Sequence, residues 1–565
     1  MKRLLALLCI GFQLLWIGNS LFAQHKMLSH KEKQQQHKEQ PEDAYLPHPD
    51  ARGQVSKAYY YRDALVETHQ VNVNANGQNI IGDAANEPSL AVDPNNPNKM
   101  IIGWRQFDNI NSNFRQAGYA FTTNGGQTWT FPGSINSGVF RSDPVLDIDT
   151  DGTFYYNSLT SNDGIYTCKV FRSTDGGQSW DEGVEAKGGD KQWMVIDKTD
   201  GPGKDNNYSY WTSYWSSCQP GNFTRSVDKG ESYGPCVSVL GDPYWGTLAV
   251  APDGALYISG SGWYGIMVAK STNAQHPLVS TSWDFYTDVN MDGDITSGAD
   301  VNPGGMLGQA NIAVDYSTSA SNGNVYVLAS IARNNGDPGD VMFSRSIDGG
   351  LSWTNPHRVN QDFSFSNTQW FGTMSVAPNG RIDAVWLDTR DAPAGLSRMS
   401  ALYYSYSVNQ GETWSINQRI SESFDPHVGW PNQEKMGDYF HSISDDGGVH
   451  LAWANTLNGG QDVYYSRIAL DLTAVQNNLQ EQLLLSVFPN PVAQKAQLTY
   501  QSSSGGTVNI QLFDVRGKLM YSTNETEIKV GTNSTILNLG DWPNGVYFCT
   551  LSTGASAKTI NIIKR

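Results

Sequence analysis

A short turn recurs five times between residues 122 and 414, and this recurrence restricts the fold more than any other feature of the sequence. Residues 345–354 give its clearest form, R-S-I-D-G-G-L-S-W-T. Asp tolerates a left-handed backbone and bonds downstream amides, and Gly takes positive φ without strain, so the motif predicts a β-hairpin turn. The copies occupy residues 122–129, 173–180, 226–233, 346–353 and 407–414. Such a series predicts a repeated β-sheet architecture.

Apolar runs provide a second count of the repeat. Each is nearly continuous in apolar residues, as expected of a strand buried on both faces. There are seven, at residues 88–93, 143–149, 192–197, 245–251, 310–315, 371–377 and 438–444. Four strands in each period of roughly 45–75 residues fit the blades of a propeller. The seventh unit lacks the turn, and residues 71–74 are expected to supply its outer strand.

The turn has the pattern Ser/Thr-x-Asp/Asn-x-Gly-x-x-Trp, with Tyr233 in the aromatic place of one copy. This is the Asp-box, so residues 67–470 resemble the sialidase-type propellers that carry bacterial neuraminidase repeats. The resemblance implies an all-β, seven-bladed β-propeller, with six blades as the alternative. Asp348 and its equivalents are expected to clamp turns between outer strands and not to be catalytic.

The N-terminus has the features of a secretory signal. Lys2 and Arg3 precede an apolar stretch, residues 4–16, and Ala23 is a suitable last residue before cleavage. The apolar stretch is shorter than the ~20 residues that a membrane span needs, and no later segment is long or apolar enough. We therefore predict a signal peptide over 1–23, followed by a disordered leader over 24–66 that is rich in His, Lys and Gln.

The charge of the chain restricts its possible partners, and its cysteine content restricts its possible disulfides. The formal net charge is −17, which argues against nucleic-acid binding through bulk electrostatics. Outside the signal the chain has four cysteines, too few for a disulfide framework in a chain of 565 residues. Cys218 and Cys236 are the nearest pair, and the sequence leaves open whether they are bridged.

The composition changes after residue 470. Residues 471–484 are predicted to be a linker, and short alternating strands follow. The segments 487–491 (VFPNP), 514–517 (DVRG) and 558–564 (KTINIIK) resemble the type A sorting domain of type IX secretion. Over residues 485–565 this resemblance implies a small β-sandwich recognised by the type IX secretion machinery, and hence a protein that is secreted or held on the outer cell surface.

A segment of the fifth repeat has the beginning of a calcium loop. Oxygen-bearing side chains alternate along it, Gly293 is at the sixth position for a sharp bend, and the closing acid is one residue late. Calcium prefers six or more oxygen ligands in such a spacing. The predicted ligands of a structural calcium ion are Asp288, Asn290, Asp292, Asp294 and Asp300; a merely acidic surface loop is the alternative.

Propeller topology predicts where chemistry would occur. The innermost strand begins, and the second strand ends, on one face, so residues at those positions should converge on one mouth. The sialidase resemblance implies three arginines that bind a carboxylate, a Tyr–Glu nucleophile couple and an Asp acid/base. By position alone the catalytic candidates are Glu87, Asp143, Asp190 and Tyr439. The candidates for substrate binding are Arg105, Arg141, Arg333, Arg390 and Trp370.

The early Arg-Ile-Pro motif of sialidases is absent, so these roles rest on topology. Hydrolysis by paired carboxylates is an alternative that would use Glu87, Asp143 or Asp190. A purely structural role is another, with the acids binding backbone amides at loop bends. The sequence thus predicts an exported propeller that acts on extracellular glycans or glycoproteins as a sialidase-like glycoside hydrolase. A non-catalytic propeller that binds glycan or protein is the competing hypothesis.

Overall fold

A computed structural model describes residues 32, 43–48, 54–362, 364–470, 485–502, 506–529, 531–552 and 557–565. The predicted signal peptide, most of the leader and the linker 471–484 lie outside the described residues. The chain divides into two compact units, unit 1 (Met1–Ala469) and unit 2 (Leu470–Arg565). All 38 regular elements within the described ranges are β-strands, so the all-β class is confirmed. In the same ranges, no helix has the length and apolar character to cross a membrane.

The leader prediction is wrong for its last part, because regular pairing begins at Val55. Tyr60–Arg62 pairs with Val66–Gln70, and alternate side chains of the latter are buried. That alternation is a strand signal which the polar composition of the segment concealed. The four strands here are β1 (Val55–Lys57), β2 (Tyr60–Arg62), β3 (Val66–Gln70) and β4 (Gln78–Ile80), with β1 paired to β4.

Six antiparallel sheets follow along the chain, and we number them I to VI. Sheet I contains β5 (Ala84–Val92), β6 (Met100–Phe107), β7 (Gln116–Thr122) and β8 (Thr130–Ile135); sheet II contains β9 (Ser142–Ile148), β10 (Phe154–Asn162), β11 (Ile165–Ser173) and β12 (Val184–Glu185); sheet III contains β13 (Trp193–Ile196), β14 (Asn207–Tyr210) and β15 (Phe223–Ser226). Sheet IV contains β16 (Leu248–Val250), β17 (Leu256–Gly262), β18 (Gly265–Ser271) and β19 (Phe285–Val289); sheet V contains β20 (Gly293–Asp294), β21 (Asn311–Val314), β22 (Val325–Arg333), β23 (Asp340–Ser346) and β24 (His357–Arg358); sheet VI contains β25 (Gln369–Val376), β26 (Ile382–Asp388), β27 (Ala401–Ser407) and β28 (Gln418–Arg419).

Sheet VII combines both ends of unit 1. Its C-terminal strands are β29 (His441–Asp445), β30 (Gly448–Asn455) and β31 (Asp462–Ala469), and β3 and β2 extend it in the order β2-β3-β31-β30-β29. The N-terminal segment therefore supplies the outer strand, as expected, but from residues 66–70 and not 71–74. Val66 and Gln70 pair with Ile468 and Tyr464, so a sheet edge that would otherwise be open is covered.

The first strands of the seven sheets, with β21 counted as the first of sheet V, pack against one another in a closed series. Each of β5, β9, β13, β16, β21, β25 and β29 contacts the next, and β29 contacts β5. Each of the seven predicted apolar runs overlaps one of these strands. The start of every first strand is thereby directed to a common centre.

Hydrogen bonds within each recurring turn explain its sequence. In all five copies the Ser or Thr hydroxyl donates to the Asp or Asn side chain two residues later, and the Gly amide donates to that hydroxyl. In sheets I, II, V and VI the turn joins the last two strands, and in sheet III it follows the last strand, β15; these positions are away from the common centre. The clamping role expected of Asp348 agrees with these bonds.

The aromatic residue of the turn connects its sheet to the preceding one. Trp180 of sheet II packs against Tyr119 of sheet I at 5.6 Å between ring centroids, and Trp414 of sheet VI packs against Phe343 of sheet V at 5.3 Å. Trp129 of sheet I packs against Tyr465 of sheet VII at 5.4 Å. The turns therefore stabilise contacts between sheets, including the contact between the first sheet and the last.

Replacing Asp348 with alanine should lower the free energy of unfolding of unit 1 by about 1 kcal/mol, as for loss of a capping side chain. Its carboxylate accepts the Ser346 hydroxyl at 2.8 Å and the amides of Ser352 at 2.9 Å and Leu351 at 3.1 Å. A hydrogen bond from the Ser352 hydroxyl at 2.5 Å, together with these bonds, holds the pKa of Asp348 at about 2. Thermal unfolding would measure the loss. Asp200→Ala is the control, since the Asp200 side chain is 99% exposed and should change little.

Unit 2 is a small two-sheet structure. Its core contains Leu498, Ile510, Cys549, Leu551 and Ile562. One sheet has the order β32-β33-β36 and the other β35-β34-β37-β38. These strands are β32 (Leu485–Phe488), β33 (Lys495–Ser502), β34 (Gly506–Asp514), β35 (Leu519–Ile528), β36 (Gly531–Asn538), β37 (Gly545–Ser552) and β38 (Ala557–Lys564).

Of the four cysteines outside the signal, Cys218 and Cys236 form a disulfide. It joins the loop after β14 to the segment after β15, where Val237 forms a bridge with Phe223. Cys168 and Cys549 are free and buried. The disulfide therefore closes the outer part of sheet III, which has the fewest strands of sheets I to VII.

Candidate functional site

The candidate site is built on residues with unusual backbone conformation at the centre of unit 1. Glu87, Asp143, Lys191, Trp245 and Phe371 have φ values of 51°, 46°, 56°, 57° and 55°. Each occupies the same place at the start of an apolar run of sheets I, II, III, IV and VI. A left-handed conformation is costly for residues other than glycine, so tertiary contacts must maintain it. The first three of these residues bring charge to the centre.

A connected set of ion pairs fills this centre, and we call it the central cluster. Its seven members are Glu87, Arg105, Asp143, Asp190, Lys191, Lys435 and Asp438. The Lys191 ammonium lies 2.9 Å from Asp438, 3.3 Å from Asp190 and 3.4 Å from Asp143. The Lys435 ammonium lies 2.8 Å from Asp438 and 3.5 Å from Glu87, which also pairs with Arg105 at 3.2 Å. Sheets I, II, III and VII thus share one network of charges.

Burial determines what this network can do. No side chain of the central cluster is more than 4% exposed. Burial raises the pKa of Glu87 well above its usual value, against the opposing effect of Arg105 and Lys435. Four carboxyl groups face three cations, so a proton retained on Glu87 would balance the charge. Such a network is costly to break, because a lost partner leaves an uncompensated buried charge.

Tyr439, the predicted nucleophile, lies beside the central cluster and is 3% exposed. Its hydroxyl donates to the Pro144 carbonyl at 2.8 Å, and its ring packs edge-on against Trp193 at 5.1 Å. Burial, followed by the charges of Glu87 and Asp143, raises its pKa well above the usual value. The structure therefore brings the four catalytic candidates together, each of them buried.

A segment of sheet V contacts one end of the central cluster at Asp438, and we call residues 295–309 the crossing segment. Asn302 donates to the Gly437 carbonyl at 2.9 Å and accepts the Met436 amide at 2.8 Å. The Met306 amide donates to the Asp438 carboxylate at 2.9 Å. A Cβ on Gly305 would lie 2.7 Å from the Gly437 carbonyl, so the approach requires glycine. The crossing segment joins sheet V to the entrance of sheet VII, although sheet VI lies between them.

The predicted substrate-binding residues are distributed over several sheets. Arg105 pairs with Glu87 at 3.2 Å, Arg333 with Asp292 and Asp340 at 2.6 Å each, and Arg390 with Asp388 at 2.6 Å. These three arginines share no carboxylate partner among the described residues.

Arg141 and Trp370 are also buried. Arg141 is 4% exposed and lies over the Phe171 ring at 4.9 Å. Trp370 is fully buried and donates its indole N–H to the Ser400 hydroxyl at 3.1 Å. Neither side chain is in a position to contact a ligand outside the protein as the structure stands.

Three of the predicted calcium ligands have protein partners in the structure. Asp292 pairs with Arg333, Asp294 accepts the Ser261 hydroxyl at 3.3 Å, and Asp288 belongs to β19, where it pairs with Met267. No cluster of three or more His, Cys, Asp or Glu side chains suited to a metal occurs in the described ranges. The placement of these side chains gives calcium binding no support, and it stays a prediction.

Two parts of the site have no signal in the sequence. Lys435 lies in a loop without a motif, and its partner Glu87 is distant in the chain. The crossing segment overlaps only the end of the predicted calcium loop, and nothing in its composition indicates that Asn302 binds residues 436 and 437. Both contacts depend on the ring of first strands, which brings sheet VII next to sheet I.

Comparison with known proteins identifies unit 2. Residues 486–565 match the family described as a secretion system C-terminal sorting domain. Unit 2 is a secretion sorting domain. The predicted resemblance of residues 485–565 is thereby confirmed, with a boundary that differs by one residue. The sorting domain indicates that this protein is exported, either to the cell surface or into the medium.

Several solved structures are similar to the chain at low identity. A protein of unknown function from Dyadobacter fermentans is 14% identical, covers 72% of this chain and 99% of its own, and has a TM-score of 0.42. A polysaccharide lyase described as an ulvan lyase is 11% identical over 70% of this chain and 98% of its own, with a TM-score of 0.41. A sialidase of Trypanosoma rangeli is 8% identical over 90% of this chain and 89% of its own, with a TM-score of 0.36. No curated protein matches the chain. At these identities and TM-scores the likenesses carry no information on activity.

Proposed function

We propose that unit 1 is a seven-bladed propeller that binds extracellular glycans at its rim and does not hydrolyse them. Seven sheets whose first strands pack in a closed series support the blade count. The contact of Trp129 with Tyr465 and the pairing of β3 with β31 support closure of the ring. The sorting domain supplies the extracellular location.

One contrast carries the binding proposal: the predicted catalytic groups are buried, whereas aromatic side chains on the same face are exposed. Trp263 is 59% exposed and Tyr264 87%, both in the β17–β18 hairpin at the edge where first strands begin. Phe365, in the loop that leads to β25, is 72% exposed. Exposed aromatic faces stack on sugar rings and provide contact area at a low cost in conformational entropy.

Binding of an array of neutral and acidic oligosaccharides to the full chain tests the proposal. We expect the double substitution Trp263→Ala and Tyr264→Ala to weaken binding at least about tenfold, which corresponds to about 1.4 kcal/mol. Tyr286→Ala is the matched control, since Tyr286 is 44% exposed on an outer strand of the same sheet and should not contribute. Binding that survives the double substitution, or no binding at all, would contradict the rim site.

Glycoside hydrolysis is the second candidate, and the convergence of Glu87, Asp143 and Tyr439 favours it. In that case the proton of the cluster must lie on Asp143, which protonates the leaving group, while an ionised Glu87 accepts the proton of Tyr439 as Tyr439 attacks the sugar. These groups are buried, so substrate would reach them only after part of the surrounding structure moved. Turnover of sialosides or other glycans by the full chain, abolished by both Tyr439→Phe and Glu87→Gln, would establish hydrolysis and displace the binding proposal.

A further inference from the structure

The loop between β6 and β7 of sheet I binds a separate piece of the chain, residues 43–48, which we call the leader segment. The leader segment forms no strand, and five of its six residues are exposed. The β6–β7 loop begins where the second strand of sheet I ends, so it lies on the face where first strands begin. Hydrogen bonds of the leader segment reach this loop, the Ile81 carbonyl and the Asn432 side chain.

Buried polar side chains of the β6–β7 loop bind the backbone of the leader segment. Asn113 Oδ1 accepts the Asp43 amide at 2.7 Å. The Ser112 hydroxyl and the Asn109 side-chain amide each donate to a carbonyl of the segment at 3.1 Å. Along the leader segment the contacts move from Asn113 to Ser112 to Asn109, so the two pieces of chain run in opposite directions. These three side chains are only 1–8% exposed. Bonds to backbone groups depend little on sequence, so this part of the surface suits an extended peptide in general.

Two side chains of the leader segment add selectivity to this contact. The Asp43 carboxylate accepts the Asn113 backbone amide at 2.9 Å. The Tyr45 hydroxyl donates to the Asp108 carboxylate at 3.0 Å, and the Tyr45 ring packs edge-on against Phe114 at 5.4 Å between centroids. The surface therefore fits an acidic residue that is followed two positions later by a tyrosine.

The β6–β7 loop also has hydrogen bonds of its own, which hold its shape without the leader segment. Asn109 Oδ1 accepts the Asn111 amide at 3.0 Å, and the Asn109 carbonyl accepts the Ser112 amide at 3.1 Å. The Gln116 side chain donates to the Asp108 carboxylate at 2.8 Å. The groups that bind the leader segment are thus positioned by the loop itself, as in a preformed binding surface.

Little buried apolar area holds the leader segment in place. Tyr45 and Leu46 are each 40% exposed. The other contacts are mainly hydrogen bonds, and each of these contributes little net free energy because water replaces it when the segment leaves. A separate peptide that forms the same bonds could therefore take the place of the leader segment.

We propose that residues 108–114 form a binding surface for an extended peptide of another protein, and that residues 43–48 occupy this surface in cis. The partner presents an acidic side chain and, two residues later, a tyrosine, and it binds after the leader segment has left. Since the leader segment is part of the same chain, its effective concentration at the surface is high, and it inhibits binding of the partner. This site is separate from the proposed glycan site.

A labelled synthetic peptide with the sequence of residues 41–50 tests the proposal, with binding to the full chain measured by fluorescence anisotropy. We expect the peptide to bind the double variant Asp43→Ala, Tyr45→Ala at least about tenfold more tightly than it binds wild type, because the tethered segment no longer competes. A control peptide with alanine at both of these positions should bind neither chain. Binding that is equal in the two chains, or absent from both, would overturn the proposal.

Two further measurements distinguish a displaceable ligand from a structural part of unit 1. Adding Asn113→Ala to the double variant removes an acceptor of the surface and should weaken peptide binding about fivefold; no weakening would overturn the proposed surface. The melting temperature of the double variant should stay within about 2 °C of wild type, and a larger fall would give residues 43–48 a structural role instead. Oligosaccharide binding that appears in the double variant without peptide binding would make the surface a sugar site and also overturn the proposal.

Discussion

Lys191→Met should lower the free energy of unfolding of unit 1 by about 3–5 kcal/mol, the usual cost of removing one partner from a buried ion pair. The Lys191 ammonium is within 3.4 Å of three carboxylates, those of Asp143, Asp190 and Asp438. Methionine fills a similar volume without charge, so the loss would come from carboxylates left buried with too little positive charge. Thermal or denaturant unfolding of the full chain measures it.

Lys229→Met is the matched control for this experiment. The Lys229 ammonium also contacts two carboxylates, those of Asp151 and Asp205, but its side chain is 47% exposed. Solvent screens such pairs, and we expect a loss of less than about 1 kcal/mol. Equal losses in the two variants would show that burial of the central cluster does not set its contribution to stability.

Asn302→Ala should release the crossing segment from the entrance of sheet VII. The Asn302 side chain makes three hydrogen bonds, to the Met306 and Gly437 carbonyls and from the Met436 amide, at 2.8–2.9 Å. Alanine leaves these buried groups without partners, at a cost of about 2–4 kcal/mol in local stability. We expect faster hydrogen exchange of backbone amides in residues 433–438, measured by mass spectrometry, while β-strands outside the junction keep their protection.

Asn290→Ala provides the comparison within the same region of sheet V. Its side chain is exposed and accepts only the Asp292 amide at 2.9 Å, so exchange in 433–438 should stay as in wild type. Unchanged hydrogen exchange in Asn302→Ala would contradict the role of Asn302 in holding the crossing segment against residues 436 and 437. The same variant bears on function, because glycan turnover that appears only when Asn302 is removed would favour hydrolysis over rim binding.

The repeating β-sheets could be predicted because their determinants are local. Asp348 and its equivalents bond amides within four residues, and each apolar run is long enough to indicate a buried strand. The outer strand of sheet VII was predicted at residues 71–74 but lies at 66–70. A polar segment such as VETHQ has weak intrinsic preference, and its pairing with β31 depends on a strand about 400 residues away in sequence.

The candidate site, like the fold, could be predicted from the sequence only in part. Position at the start of first strands was enough to place Glu87, Asp143, Asp190 and Tyr439 near one another. It was not enough to show that they are buried, because their exposure depends on Lys435, Lys191 and the crossing segment.

By itself, then, the sequence determined the all-β architecture, its period and the C-terminal sorting domain, because turn chemistry, apolar periodicity and a family pattern are all contained in short segments. The tertiary structure decided which charges are buried and what covers them. Those properties arise from contacts between residues such as Glu87 and Lys435 that only the packing of sheet I against sheet VII brings together. Because of this packing the predicted catalytic residues are buried, whereas the aromatic side chains of Trp263 and Tyr264 are exposed.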